Sequence, residues 1–161
     1  MSKAIFSLLY VFVCMQFSYS QSIEDIINQV SNSNLQLSVA ELSGEQATMI
    51  NGSMQTITNR VHSNNDLAAD YIEEQLSVLP NLLVSVQDFN TVGKNIIATQ
   101  LGRTNPEDIY IVCAHYDSVT TFCADDNATG VSAVLEIARL LSTQCIDNTI
   151  VSFLFILIIS I

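Results

Sequence analysis

Residues 109–141 read IYIVCAHYDSVTTFCADDNATGVSAVLEIARLL, and this stretch decides the fold. Asp108 to Ala114 is apolar at nearly every position after the first, as expected of a strand with both sheet faces covered. Thr129 to Leu141 has few polar positions, chiefly Glu136 and Arg139, so it is expected to be a helix packed inside a layered domain. Between them lies a polar loop holding His115, Asp117, Asp125 and Asp126. A strand that empties into a loop of His and Asp, followed by a helix, is where α/β proteins place their chemistry.

The flanking sequence fits that frame. Ser22 and Asp25 have capping-box spacing, and Ile23, Ile26, Ile27 and Val30 then share a helical face. Leu35 to Leu42 predicts a second short helix, with Gly44 as its stop. Asn51-Gly52-Ser53 is turn chemistry and also a glycosylation sequon. Ser63 and Asp66 are spaced to cap a helix with a Leu67, Tyr71, Ile72, Leu76 and Leu79 stripe, ended by Pro80. Leu82 to Val86 and Asn95 to Leu101 read as strands, and Thr149 to Ile161 as a further buried strand. No strand follows that last one in the sequence, so it is expected at an exposed sheet edge. Helices first, then strands alternating with helices, predict a three-layer α/β domain with a central mixed sheet between helices.

The chain has 161 residues, enough for one domain with a real core. Its 49% apolar content is inflated by apolar segments at both ends. Met1 to Ser20 reads as a secretory signal: Lys3, an apolar stretch from Ala4 to Met15, then Ser18-Tyr19-Ser20. Residues 21–161 would be the mature domain, secreted and free of the membrane. Without the signal, four Lys and Arg face sixteen Asp and Glu, a formal charge of −12. That balance excludes nucleic acid as an expected partner. Three cysteines remain, so at most one internal disulfide can form. Cys113 is expected to be buried in its strand, and Cys123 with Cys145 is the expected pair.

His115 and Asp117 are two apart at a strand end, so both lean toward one side. A carboxylate beside an imidazole fixes its tautomer and raises its basicity, as at metal centres. Asp125-Asp126 follows within the same loop, and adjacent carboxylates are reconciled by solvent or by a cation. Taken singly, a His at a strand end is usually structural, and Asp-Asp before a helix is usually a cap. Together they form a donor set that suits zinc.

At these residues the sequence resembles a known family, the secreted di-zinc aminopeptidases of the bacterial leucyl aminopeptidase and aminopeptidase Y type. That family shares a clan with glutamate carboxypeptidases and glutaminyl cyclases. The resemblance lies in Ala114-His115-Tyr116-Asp117-Ser118 and in Ala124-Asp125-Asp126-Asn127-Ala128-Thr129-Gly130. Leu67 to Ile72 and Gly93 to Ala98 add to it. It implies a zinc-exopeptidase-like fold and zinc-dependent removal of N-terminal residues from peptide or protein substrates. It implies that His115 binds one zinc, that Asp126 bridges two, and that Asp117 is a catalytic-site residue orienting His115. It also implies a cis Asp126–Asn127 peptide. Cys123 stands where the family usually has glycine.

The same resemblance implies more ligands than can be read here. A Glu-Glu pair should follow the next strand, with its first Glu as general base, and a further Asp and His should come later. After Asp126 the only acids are Glu136 and Asp147, and no His follows His115. The expectation is therefore an N-terminal portion of a peptidase domain, C-terminally incomplete and inactive as it stands. The alternative is a non-enzymatic, peptidase-like binding module.

Overall fold

In chain order the elements are α1 (Ile23–Ile27), α2 (Asn32–Leu42), β1 (Thr48–Ile50), β2 (Ser53–Gln55), α3 (Asp66–Ser77), β3 (Leu83–Phe89), β4 (Gly93–Gln100), β5 (Asn105–His115), α4 (Thr129–Leu141) and β6 (Asn148–Phe155). They come from a computed structural model that describes residues 22–61, 64–89 and 93–157. The signal reading for Met1 to Ser20, and the part of the last apolar run beyond Leu157, lie outside the described residues.

The main sheet has the order β3-β4-β6-β5. β3 with β4 and β4 with β6 are antiparallel, while β5 with β6 is parallel. The sheet is therefore mixed, and helices pack on it, which is the expected fold class. The parallel pair follows from the sequence between its strands. A connection that returns to the same end of the sheet needs a crossover of a dozen or more residues, and α4 supplies it. β6 is central rather than marginal, contrary to the expectation for the last strand. Its alternate residues explain this, because Ser152 and Leu154 are buried opposite Ala98 and Ile96 of β4.

The edge is β5. Ile109, Tyr110 and Ile111 are each more than half exposed, and Cys113 is exposed too. The expectation of a strand covered on both faces is corrected here, and with it the burial of Cys113. Helices α3 and α4 lie side by side on the face formed by Ile96, Ala98, Ala114 and Leu154. Ala68, Ala69, Tyr71, Ile72, Val131, Val134, Leu135 and Ala138 complete that core. Helix α2 packs on α4 from the far side, and Gly44 ends it at φ +76°, the left-handed C-terminal geometry that suits glycine.

Local chemistry sets the other boundaries. Ser22 and Asp25 form the expected reciprocal cap of α1. Asn51 and Gly52 turn a short hairpin between β1 and β2, the two-residue loop that Asn-Gly favours. Helix α3 begins one residue after Asn65, whose side chain makes no cap bond there. Ser63 lies outside the described residues, so its proposed cap does too. All three described cysteines are free. Cys123 precedes α4 and Cys145 follows it. The helix between them has thirteen residues and is about 20 Å long at ~1.5 Å per residue, against the ~6 Å Cα span of a disulfide.

Candidate metal centre

His115 is the last residue of β5, at the carboxyl end of the parallel pair, where α/β folds place their sites. Asp117 lies two residues on. Its Oδ1 is 3.2 Å from His115 Nδ1 and accepts the Leu157 N–H at 3.0 Å. A carboxylate at Nδ1 selects the tautomer with the proton there, leaving a lone pair on Nε2. That nitrogen is 3.2 Å from Asp126 Oδ1. The site thus joins two lone-pair donors, one from a strand end and one from the turn before α4. Phe155 of β6 stands beside the imidazole, ring centres 6.4 Å apart. Side-chain exposure falls from 69% at Asp126 to 25% at His115 and 13% at Asp117. The two donors face solvent and the orienting carboxylate sits behind them.

The turn at Ala124–Ala128 is irregular. Asp126 and Asn127 leave helical backbone geometry, and the peptide between them is cis. Asn127 fastens the turn, because its Nδ2 donates to the His115 carbonyl at 3.2 Å and its Oδ1 accepts the Gly130 N–H at 3.1 Å. Glycine is required at 130 for space, since a Cβ there would lie 2.3 Å from Asn127 Oδ1. Asp125 is exposed, and its carbonyl accepts from the Thr129 hydroxyl.

Two further residues shape the site and were not legible as site residues. Tyr116 is fully buried, and its hydroxyl donates to the Lys94 carbonyl at 2.6 Å and accepts the Lys94 N–H at 3.3 Å. Burial raises its pKa well above the phenolic range. Arg60 is fully buried beneath the loop. Burial pushes its guanidinium below its ordinary value, while the negative charges of Asp117 and Asp126 pull the other way.

The donor chemistry fits part of a zinc site. Nitrogen and oxygen ligands of a tetrahedral zinc bind at roughly 2.0–2.2 Å and so lie about 3.3–3.6 Å apart, a little wider than the observed Nε2–Oδ1 spacing. Among the described residues, no cluster of three His, Cys, Asp or Glu is placed to hold one ion.

Comparison with known proteins finds resemblances in sequence and in fold. Residues 95–156, from β4 to the end of β6, match the profile of Peptidase family M28. That segment is similar to the M28 peptidases. An Escherichia coli K12 relative, uncharacterized protein YfbL, is 37% identical over 105 residues, which is 56% of this chain and 32% of that protein. A Pyricularia oryzae protein named "Probable zinc metalloprotease" is 36% identical over 66 residues, 35% of this chain and 13% of that one. LapB of Legionella pneumophila superposes with a TM-score of 0.68 at 16% identity, over 83% of this chain and 37% of its own. A leucine aminopeptidase precursor of Bacteroides thetaiotaomicron gives a TM-score of 0.60 at 22% identity, over 78% of this chain and 47% of its own. At those identities the structural likeness shows the M28-like fold alone. The chain spans about a third of the length of the Escherichia coli relative. No helix among the described residues is long and apolar enough to cross a membrane.

Proposed function

We propose that this chain supplies one wall of a di-zinc aminopeptidase site, in which His115 binds one metal, Asp126 bridges both, and Asp117 orients His115. The observation that carries the reading is the apposition of His115 Nε2 and Asp126 Oδ1 at 3.2 Å, with the other imidazole nitrogen held by Asp117. The M28 match over the same residues supports it. Zinc, when bound, supplies Lewis-acid polarisation of a carbonyl and makes water a better nucleophile.

The chain's own residues do the rest. Asp117 keeps the Nδ1 proton in place, and the Leu157 N–H holds Asp117. Asn127 fixes the turn that presents Asp126 to the end of β5. Peptides with a free N-terminus are the proposed substrates, in an extracellular setting. Catalytic zinc takes three protein ligands and an open position. The described residues offer two donors, so they do not complete a catalytic centre, and the chain alone is proposed to be inactive. The same shortage of ligands is what a peptidase-like binding module would show.

The test is a zinc or Co2+ titration of the purified chain beside His115→Ala and Asp126→Asn. Binding that weakens about tenfold or more in both variants is expected, the scale on which metal sites respond to altered shells. Identical affinity in all three proteins would refute the site. Turnover of an aminoacyl anilide with two bound zincs would refute the inactivity.

A further inference from the structure

Arg60 follows β2 on the connection to α3, far in sequence from the metal loop, and is 0% exposed. A buried guanidinium must place its five N–H donors. Nε donates to the Tyr116 carbonyl at 2.7 Å, Nη1 to the Phe122 carbonyl at 3.1 Å, and Nη2 to the Cys123 carbonyl at 2.8 Å. Nη1 also donates to the Leu42 carbonyl at the end of α2.

The backbone beside it binds the same loop. The Ser118 N–H donates to the Arg60 carbonyl at 3.0 Å, and the Arg60 N–H donates to Ser118 Oγ at 3.2 Å. The Phe122 N–H reaches the Thr58 carbonyl at 3.4 Å, and Asn59 pairs with Thr121. One side chain therefore holds both ends of the 116–123 loop. Tyr116 follows His115 directly, and Cys123 lies three residues before Asp126. Phe122 and Cys123 adopt positive φ, at 66° and 43°, and it is their carbonyls that meet the guanidinium.

We propose that Arg60 is a positioning residue for the candidate metal centre, fixing the separation of His115 and Asp126 through the carbonyls of Tyr116, Phe122 and Cys123. The proposal rests on the metal reading above. Arg60 touches neither donor and acts through the backbone that carries them. Lysine cannot replace it, because a single ammonium is a point donor while the planar fork reaches several carbonyls at once.

The experiment uses the full chain with Arg60→Met and Arg60→Lys. Amide hydrogen exchange at Ser118 and Phe122 is referenced to core amides Ala98 and Ser152. In both variants the loop amides are expected to exchange at least about tenfold faster while the core amides change far less, since local opening is separable from global unfolding. Co2+ affinity, followed by visible absorption, is expected to fall about tenfold to a hundredfold, the cost typical of losing a group that orients ligands.

Unchanged Co2+ affinity overturns the positioning role, and so does unchanged loop exchange. Equal acceleration in loop and core, or failure of both variants to fold, assigns Arg60 to general stability and overturns it too. If the wild-type chain binds no Co2+, the metal reading fails, and the exchange measurement alone decides whether Arg60 sets the loop.

Discussion

Replacing Tyr116 with Phe removes one oxygen from a side chain that is otherwise fully buried. The ring remains, so the transfer of apolar surface is unchanged and no large cavity opens. What is lost is a hydroxyl that takes both backbone groups of Lys94, donating at 2.6 Å and accepting at 3.3 Å. The pairing of β4 with β6 begins only at Ile96 opposite Leu154, so at Lys94 the phenol stands where a strand partner would otherwise be. Each bond to a neutral group contributes about 0.5–1.5 kcal/mol net, and each buried group left unpaired costs about 1–3 kcal/mol. Lys94 is half-buried, so water recovers part of the loss. The shorter bond dominates, and the expected destabilisation is about 1.5–2.5 kcal/mol. Urea unfolding followed by far-UV circular dichroism measures it as a lower midpoint at unchanged slope. Because Tyr116 lies between His115 and Asp117, Co2+ affinity should fall in the same variant. A change below about 0.5 kcal/mol, the level of an ordinary surface substitution, would refute the view that Lys94 relies on this hydroxyl.

Glu136 has a 5% exposed side chain and meets Arg139 through two bonds, at 2.6 and 2.7 Å, with the Ser31 N–H at 2.7 Å. Its hydrogen bonds to Arg139 hold its pKa below the ordinary glutamate value. The stability it contributes is therefore present above the unfolded-state value and lost as pH falls through the folded one. Glu136→Gln should lower stability at pH 7 by about 1.5–3 kcal/mol and flatten the acid limb of a stability–pH profile. An unchanged acid limb would count against the clasp. Gly130→Ala should displace Asn127, break its bonds to His115 and Gly130, and weaken Co2+ binding, as read by titration beside a thermal melt. Thiol labelling with peptide mapping should modify Cys113 and Cys145 ahead of Cys123, because the first two are exposed. A Cys123–Cys145 disulfide peptide would contradict the fold.

The elements were legible where their signal is local. Strand β5, helix α4 and the loop between them follow from apolar runs, and the His115–Asp117 contact follows from i, i+2 geometry. The position of β5 in the sheet was not legible. An apolar run reads the same in a central strand and in an edge strand, and only the pairing of β6 with both β4 and β5 separates the cases. The burial of Cys113 failed for that reason. The Cys123–Cys145 pairing failed because parity constrains only how many bridges can form, while α4 sets the distance. Arg60 was invisible for a different reason. Its acceptors are carbonyls, which every residue carries, at positions 42, 116, 122 and 123, so no residue type marks them.

This division has a chemical logic. The identity of the donors is local, since a strand end and the following turn bring an imidazole and a carboxylate together without help from the rest of the chain. Their separation is not local. A donor pair tolerates errors of only a few tenths of an ångström around the bite of a metal, and a loop of seven residues between Tyr116 and Ala124 could close in many ways. The structure removes that freedom from three sides: Tyr116 against Lys94, Asn127 against His115 and Gly130, and Arg60 beneath the loop. Each contact uses backbone atoms or a buried side chain, leaving Nε2 and Oδ1 free to face outward. An imidazole nitrogen and a carboxylate oxygen held 3.2 Å apart need a positive centre between them, either a proton or a metal ion. The contacts that hold the pair use backbone atoms or buried side chains, while the Asp126 side chain itself is 69% exposed.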